Sequence, residues 1–308
     1  MQVETTGDSV LVLGGTGMLG MMVADVLSHH CPNLTVTARP SKARLSTPSV
    51  RWVDFDASAG PEAIAALIQS TRPAWVVNCI GVTKPHIKDD DPAQVQNALV
   101  INALFPHRLG KAADERGTRV IQIATDCVYS GTKGKYSEGA IHDALDVYGK
   151  TKSLGECHYQ KVHHLRCSII GPEAGTTLSL LEWFRGQAKN ATLRGFTNHR
   201  WNGVTTLQFA KVCWGIIGNR RPPPSLQHLV PADAVTKLKL LQLLGESFNR
   251  RDLRIEAAAA TEAVDRTLST EHAESCIDLW HMAGYTTPPT VGEMVKELAA
   301  YQMTMRPQ

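Results

Sequence analysis

Tyr148 and Lys152 are spaced as Y-x-x-x-K. On a helix that spacing puts both side chains on one face, one turn apart. A free phenol titrates near about 10 and is a poor acid–base group at neutral pH. An ammonium beside it, or an oxidised nicotinamide, favours the phenolate and draws that value down. Thr125 closes a β-branched run and supplies a hydroxyl that can hold the substrate oxygen gaining or losing the proton. The set Thr125, Tyr148 and Lys152 is therefore suited to proton transfer at a carbonyl or carbinol, with Lys152 also able to hold a nicotinamide ribose.

The proton step calls for a hydride partner, and the N-terminal region offers a cradle for one. Gly14-Gly15-Thr16-Gly17-Met18-Leu19-Gly20 follows the apolar run Ser9–Leu13. Its glycines allow a tight turn, a close approach of backbone to a pyrophosphate, and a helix packed on the sheet. The spacing GxxGxxG differs from the common dinucleotide spacing GxGxxG. Gly14, Thr16, Gly17, Met18 and Leu19 are the expected cofactor contacts, with the free N–H groups and positive end of the following helix pointing at the anion. Arg39 follows the second apolar run, where a carboxylate would accept the ribose hydroxyl of NAD. With Lys42 and Arg44 close behind, it suits a 2′-phosphate and predicts NADP(H), with NAD(H) as the second choice. A solvated basic loop is the alternative reading of these three. Asp56, after the third run, is placed to hydrogen-bond the adenine, in competition with Asp54.

These residues need a scaffold, and the first half of the chain supplies one. The pattern predicts strands at Ser9–Leu13, Leu34–Ala38, Val50–Phe55, Ala74–Ile80, Arg119–Ala124 and His164–Ile170. Helices are expected at Met18–Ser28, Pro61–Ser70, Gln94–Arg116 (interrupted by Pro106) and Val147–Tyr159. This alternation means βαβ units and a doubly wound α/β Rossmann sheet, with a smaller α+β lobe after Gly171-Pro172. The expected division is a cofactor domain at 1–172, to which 203–222 returns, and a mainly substrate-binding lobe at 173–308. In that second part Leu178–Lys189 reads as a helix, Thr192–Asn202 as a loop, and Val204–Ile217 as a strand edge and helix. Arg220–Ser225 reads as a break.

Two stretches, ATDCVYSGTKGKYSE and DVYGKTKSLGE, resemble the dTDP-4-dehydrorhamnose reductase branch of the extended short-chain dehydrogenases. That branch reads STDYVFDGxxGxYxE and then NVYGxSKxxGE. The likeness continues through Asn78-Cys79-Ile80-Gly81, Asn102 and Arg166, and covers roughly residues 9–172. It implies catalysis by Thr125, Tyr148 and Lys152, cofactor contacts at Cys79, Ile80 and Gly81, and a sugar nucleotide between the lobes near Asp126 and Cys127. A 4,6-dehydratase of this superfamily would carry Glu at 127, because elimination needs a further acid and base; Cys127 disfavours it. The cysteine instead matches that of the GDP-fucose synthase group, which works with a histidine in epimerisation. Here the next histidine after Gly171-Pro172 is His199, and a buried structural thiol is the blander reading.

Phe196-Thr197-Asn198-His199-Arg200-Trp201-Asn202-Gly203 is the expected substrate stretch. Arg200 could pair with a diphosphate, Trp201 could stack on a base or sugar, and Asn198 adds a polar contact. Arg266 is a second choice for the phosphates, and a surface loop with a packing tryptophan is the alternative reading of the stretch. A formal charge of +3 over 308 residues gives no electrostatic ground for nucleic acid or a membrane as the main partner. The start of the chain lacks a basic n-region, and no apolar run is long enough for a bilayer. Seven scattered cysteines without a CxxC pair point to reduced thiols in the cytoplasm, and no metal motif is present.

The resulting expectation is an NADPH-dependent reductase of a nucleotide-linked keto-deoxysugar, acting at C4, with a homodimer as one option for its assembly. One alternative is an epimerase or epimerase-reductase using Cys127. Another is a regulatory subunit similar to the methionine adenosyltransferase β subunit, which resembles the same branch.

Overall fold

The computed structural model describes residues 7–42, 45–46, 50–175 and 178–307; Arg44 lies outside the described residues. Seven parallel strands form the central sheet: β1 (Val10–Leu13), β2 (Leu34–Ala38), β3 (Arg51–Asp54), β4 (Trp75–Asn78), β5 (Arg119–Thr125), β6 (Val162–Cys167) and β7 (Leu226–His228). Their spatial order is β7-β6-β5-β4-β1-β2-β3. This is a Rossmann-type order, reversing direction at β1 and leaving a crevice at the carboxyl ends of the strands.

The residues of β1 explain its place at the centre. All four are buried, and they alternate between two cores. Val10 and Val12 face the core that holds the helices Met18–Ser28 and Thr206–Asn219. Leu11 and Leu13 face the core built with Ile64, Phe105 and Leu109. A strand covered on both faces must be apolar throughout, and this one is.

The segment after residue 203 joins this layer more fully than expected. Thr206–Asn219 packs against Met18–Ser28, with His30 stacked on Trp214 at 4.6 Å. The chain then adds β7 beside β6, through pairs such as Gln227 with Leu165. That strand gave no apolar signal because Gln227 and His228 are polar yet fully buried.

Three further expectations are refined or corrected. The helix expected over 94–116 is interrupted close to Pro106. It runs as Pro92–Ala98, a π-helical segment Leu99–Leu104, and Phe105–Asp114. Pro106 has no N–H for the carbonyl of Asn102, so the ladder widens before it, and the amide of Phe105 bonds Val100. The helix that begins at Val147 ends at Leu154 rather than Tyr159. Gly155 follows, where a Cβ would lie 2.0 Å from the carbonyl of Asn102. The stretch 192–202 is not a loop: Thr192–Phe196 pairs with Arg254–Ala258, and His199–Trp201 lies between Val235–Thr236 and Val264–Asp265. Those partners stand far along the chain, so no local pattern announces them. Among the described residues, no helix is long and apolar enough to cross a membrane, and no His, Cys, Asp and Glu cluster could hold a metal.

Candidate functional site

The glycine turn sits at the carboxyl end of β1. Gly14 has φ of +82°, a backbone region that favours glycine, and a Cβ there would meet Ile80 at 2.8 Å. Its amide donates to the Thr37 hydroxyl at 3.0 Å, fixing the turn to β2. A Cβ on Gly20 would lie 2.1 Å from the Gly14 carbonyl, so only glycine lets the helix settle on the turn. The helix Met18–Ser28 starts from Gly17 with no side-chain cap and no acid in its first turn. The amides of Met18 and Leu19 precede the first helical bond, from Met21 to Gly17, and are free for an anion.

Arg39 emerges exposed just past β2. Its charge reaches Asp56, whose carboxyl is held low mainly by hydrogen bonds from Ser58, then by Arg39. One oxygen of Asp56 accepts both the Ser58 amide at 2.8 Å and its hydroxyl at 2.7 Å. Past β4, Cys79 donates its amide to Leu13 and Ile80 donates to the Asn78 side chain at 3.0 Å. Buried Asn102 holds this loop: it accepts from the Val82 amide at 2.8 Å, donates to the Val82 carbonyl at 2.9 Å, and donates to Thr151 at 3.3 Å. Asn102 thus couples the loop after β4 to the helix Val147–Leu154. The motif likeness included it, but nothing local showed this role.

The proposed catalytic residues meet where β5 ends. Asp146 caps the helix Val147–Leu154 through the Gly149 amide at 2.9 Å, and Lys84 grips the same carboxylate at 2.9 Å. Tyr148 and Lys152 lie on that helix. Burial pushes the Tyr148 phenol well above its ordinary range, Cys127 adds to this, and a hydrogen bond with Thr125 opposes it. Within the protein's own groups the expected downward pull on Tyr148 is reversed, because burial and the charges of Cys127, Asp126 and Asp146 all act upward. Lys152 donates to the Ile123 carbonyl at 3.1 Å. Burial lowers its pKa to about 8, with Glu156 raising it and Arg166 lowering it.

Thr125 accepts the Cys127 amide at 3.2 Å, and its hydroxyl lies 3.4 Å from the Asp126 carboxylate. Burial raises the pKa of Asp126, opposed first by Arg266. Cys127 is pushed up to about 12 by burial and then by Asp126, which keeps it a neutral thiol.

Beside Lys152 lies a tightly bonded ionic group. Arg166, on β6 and 0% exposed, places one nitrogen 2.6 Å from both oxygens of Glu156. Its other terminal nitrogen donates to His142 at 3.0 Å, and its guanidinium stacks 5.1 Å from the Tyr129 ring centre. His142, lowered to about 4 chiefly by burial, is neutral and free to accept.

The substrate stretch is placed differently from expectation. Both ends of the Asn198 amide bond the backbone of Ala260, at 2.8 and 2.9 Å. Trp201 donates its indole N–H to Ser168 at 2.8 Å and packs on Gly203. Arg200 is exposed and leans on Asp265 at 3.8 Å. The polar groups of Asn198 and Trp201 are thus bonded within the protein, the first inside the second lobe and the second across to Ser168, while Arg200 stays exposed beside Asp265. The cations whose charge reaches Asp126 are Arg266 and Lys237. Lys237 was not singled out by sequence, because only tertiary pairing brings it there.

Comparison with known proteins agrees with this architecture. The RmlD substrate binding domain model matches residues 8–300. The β subunit of methionine adenosyltransferase 2 from Xenopus tropicalis is 30% identical over 155 residues, 50% of this chain and 43% of that protein. A dTDP-4-dehydrorhamnose reductase from Streptomyces griseus is 30% identical over 147 residues, 47% of this chain and 43% of that one. These matches span less than half of the relatives' own length. A Bacillus anthracis dTDP-4-dehydrorhamnose reductase in complex with NADP superposes with a TM-score of 0.72 at 14% identity, covering 95% of this chain and 99% of that chain. By the extent of the family match, with the fold in agreement, this chain belongs to the RmlD substrate-binding-domain family.

Proposed function

We propose that the protein is an NADPH-dependent reductase of a keto group, at C4, on a nucleotide-linked sugar. The observation that carries this reading is the convergence of Thr125, Tyr148 and Lys152 at the end of β5, in a fold whose glycine turn leaves amides free for a pyrophosphate. NADPH, when bound, supplies the hydride. Thr125 orients the substrate oxygen, and Tyr148 donates the proton to it as the hydroxyl forms. A phenol pushed high by burial is in the protonated state that a donor needs. Lys152, kept partly charged with help from Glu156, stabilises the phenolate left behind. Exposed Arg39 favours the 2′-phosphate of NADPH.

The epimerase reading is weaker, since a thiol pushed up to about 12 is a poor base at neutral pH. The regulatory-subunit reading is favoured by the methionine adenosyltransferase relatives. The separating experiment incubates the purified protein alone with NADPH and keto sugars carried on dTDP, UDP, GDP and CDP. Loss of NADPH absorbance with one nucleotide class supports the reductase. No turnover with any of them, despite NADPH binding, favours the subunit.

A further inference from the structure

The segment from Tyr301 onward is tied to the cofactor half of the molecule at two places. The first is Asp25, on the helix Met18–Ser28 that starts from the glycine turn. Asp25 is 0% exposed, and its carboxylate accepts four hydrogen bonds from this segment. One oxygen takes the Tyr301 hydroxyl at 2.7 Å. The other takes the Thr304 amide at 2.9 Å, the Thr304 hydroxyl at 2.8 Å and the Met305 amide at 2.7 Å. Met305 is buried in the same core as the helix, and Tyr301 and Met303 pack against that core. A terminal segment stays loose unless something holds it, and a buried carboxylate is costly unless donors replace its water. The helix supplies the acceptor and the segment supplies the donors, so the two form a latch.

The second tie continues from the first. Beyond Met305, Arg306 and Pro307 pair antiparallel with Ser46 and Leu45. Those two residues lie in the connection between β2, which ends at Ala38, and β3, which begins at Arg51. The same connection opens with Arg39 and turns through the bond from the Lys42 amide to the Arg39 carbonyl at 2.9 Å. In a doubly wound sheet the region past the second strand meets the adenosine ribose, and an arginine there accommodates a 2′-phosphate. A connection of a dozen or so residues has many conformations open to it. Affinity falls in proportion to the share of them that fails to present Arg39 to the phosphate. The added strand narrows that choice by holding the connection part-way along.

We propose that residues 301–307 are a specificity element for the cofactor: latched on Asp25, they hold the 39–50 connection so that Arg39 meets the 2′-phosphate of NADPH. The inference rests on the reading of Arg39 as the 2′-phosphate ligand and adds a distant positioning element to it. NADH lacks the phosphate, so its binding does not call on the latch. The coupling is mutual. The 2′-phosphate strengthens docking of the segment by the same factor with which the docked segment strengthens phosphate binding.

Fluorescence titration with NADPH and with NADH tests this. Asp25→Ala removes the acceptor of the latch. It should weaken NADPH binding about three- to tenfold, the upper limit being the charge-assisted contact of Arg39 itself, and change NADH by less than about twofold. Asp25→Asn, which keeps an acceptor in place, should retain most of the preference. The pair Tyr301→Phe and Thr304→Ala removes two donors and should shift the preference in the same direction by less. With Arg39→Ala already present, Asp25→Ala should weaken NADPH by less than about twofold more, since the residue being positioned is gone. In the unmodified protein, the Met305 amide should exchange with deuterium about three- to tenfold more slowly under saturating NADPH than under saturating NADH. Equal weakening of both cofactors in Asp25→Ala overturns the proposal and makes the segment a general support of the fold. An unchanged preference in that variant also overturns it. Equal exchange under the two cofactors does so without any variant, even where Asp25→Ala fails to fold. Equal affinity of the unmodified protein for NADPH and NADH overturns the 2′-phosphate reading, and this inference with it.

Discussion

Arg166 is fully buried and Lys237 half-buried, and the surroundings of these two cations differ sharply. Arg166 has two Glu156 oxygens at 2.6 Å, His142 at 3.0 Å and the Tyr129 ring beneath it, with only its Nε–H unpartnered among the described residues. Lys237 has the field of Asp126 and no bonded partner. A buried charge without hydrogen bonds is expensive, and a protein retains one when a ligand completes it or a reaction uses it. The first cluster is therefore bonded internally, whereas Lys237 keeps a partly open side chain. Tyr148 and Lys152 lie between these regimes, the tyrosine half-buried and the lysine buried, each only partly bonded.

The largest effect is expected on the open side. Tyr148→Phe removes the proton donor and should lower kcat roughly 10²–10⁴-fold. NADPH affinity and melting temperature should stay near those of the unmodified protein, as followed by steady-state kinetics and fluorescence titration. A variant that melts early instead would place Tyr148 among the supporting residues.

On the closed side the cost falls on stability. Glu156→Gln leaves the Arg166 charge buried and unpaired, and should destabilise the fold by about 3–5 kcal/mol in urea unfolding. A loss below about 1 kcal/mol would mean that the pair behaves like a surface ion pair.

The two clusters should also separate by pH. Activity requires protonated Lys152, whose pKa is lowered to about 8. The fraction in that form is lost as pH rises through this value, so kcat/KM should fall about tenfold per unit well above it, over two units earlier than for an ordinary lysine. A profile that stays flat to pH 10 would contradict the assignment. The smallest effect concerns Arg39→Ala, which should weaken NADPH binding by about tenfold and leave NADH nearly unchanged, as expected for one exposed charge-assisted contact. Equal affinities for both cofactors in the unmodified protein would end the 2′-phosphate argument.

The difference between the clusters also explains what could be read from the sequence. The glycine turn and the Tyr148–Lys152 spacing were legible because their constraints are local: a positive φ at Gly14, a helix seated on Gly20, and one helical turn between two side chains. The strand β7 was not, because its polar residues are buried by bonds to distant groups, such as His228 to the Ser269 carbonyl at 2.7 Å. Likewise the sequence drew attention to Arg200 and Trp201 by composition. The pairing of 199–201 with residues near 236 and 264 decided their surroundings, setting Arg200 beside Asp265 and Trp201 against Ser168.

The central claim is hydride transfer from a nicotinamide bound at the glycine turn to a sugar carbon beside Tyr148. Its most direct test uses NADPH carrying deuterium on the transferred face of the nicotinamide, mixed with the purified protein and the keto sugar nucleotide that it turns over. NMR of the product should show deuterium on the new carbinol carbon, in an amount equal to the NADP⁺ formed. NADPH bound to the protein without deuterium reaching any sugar would contradict the account.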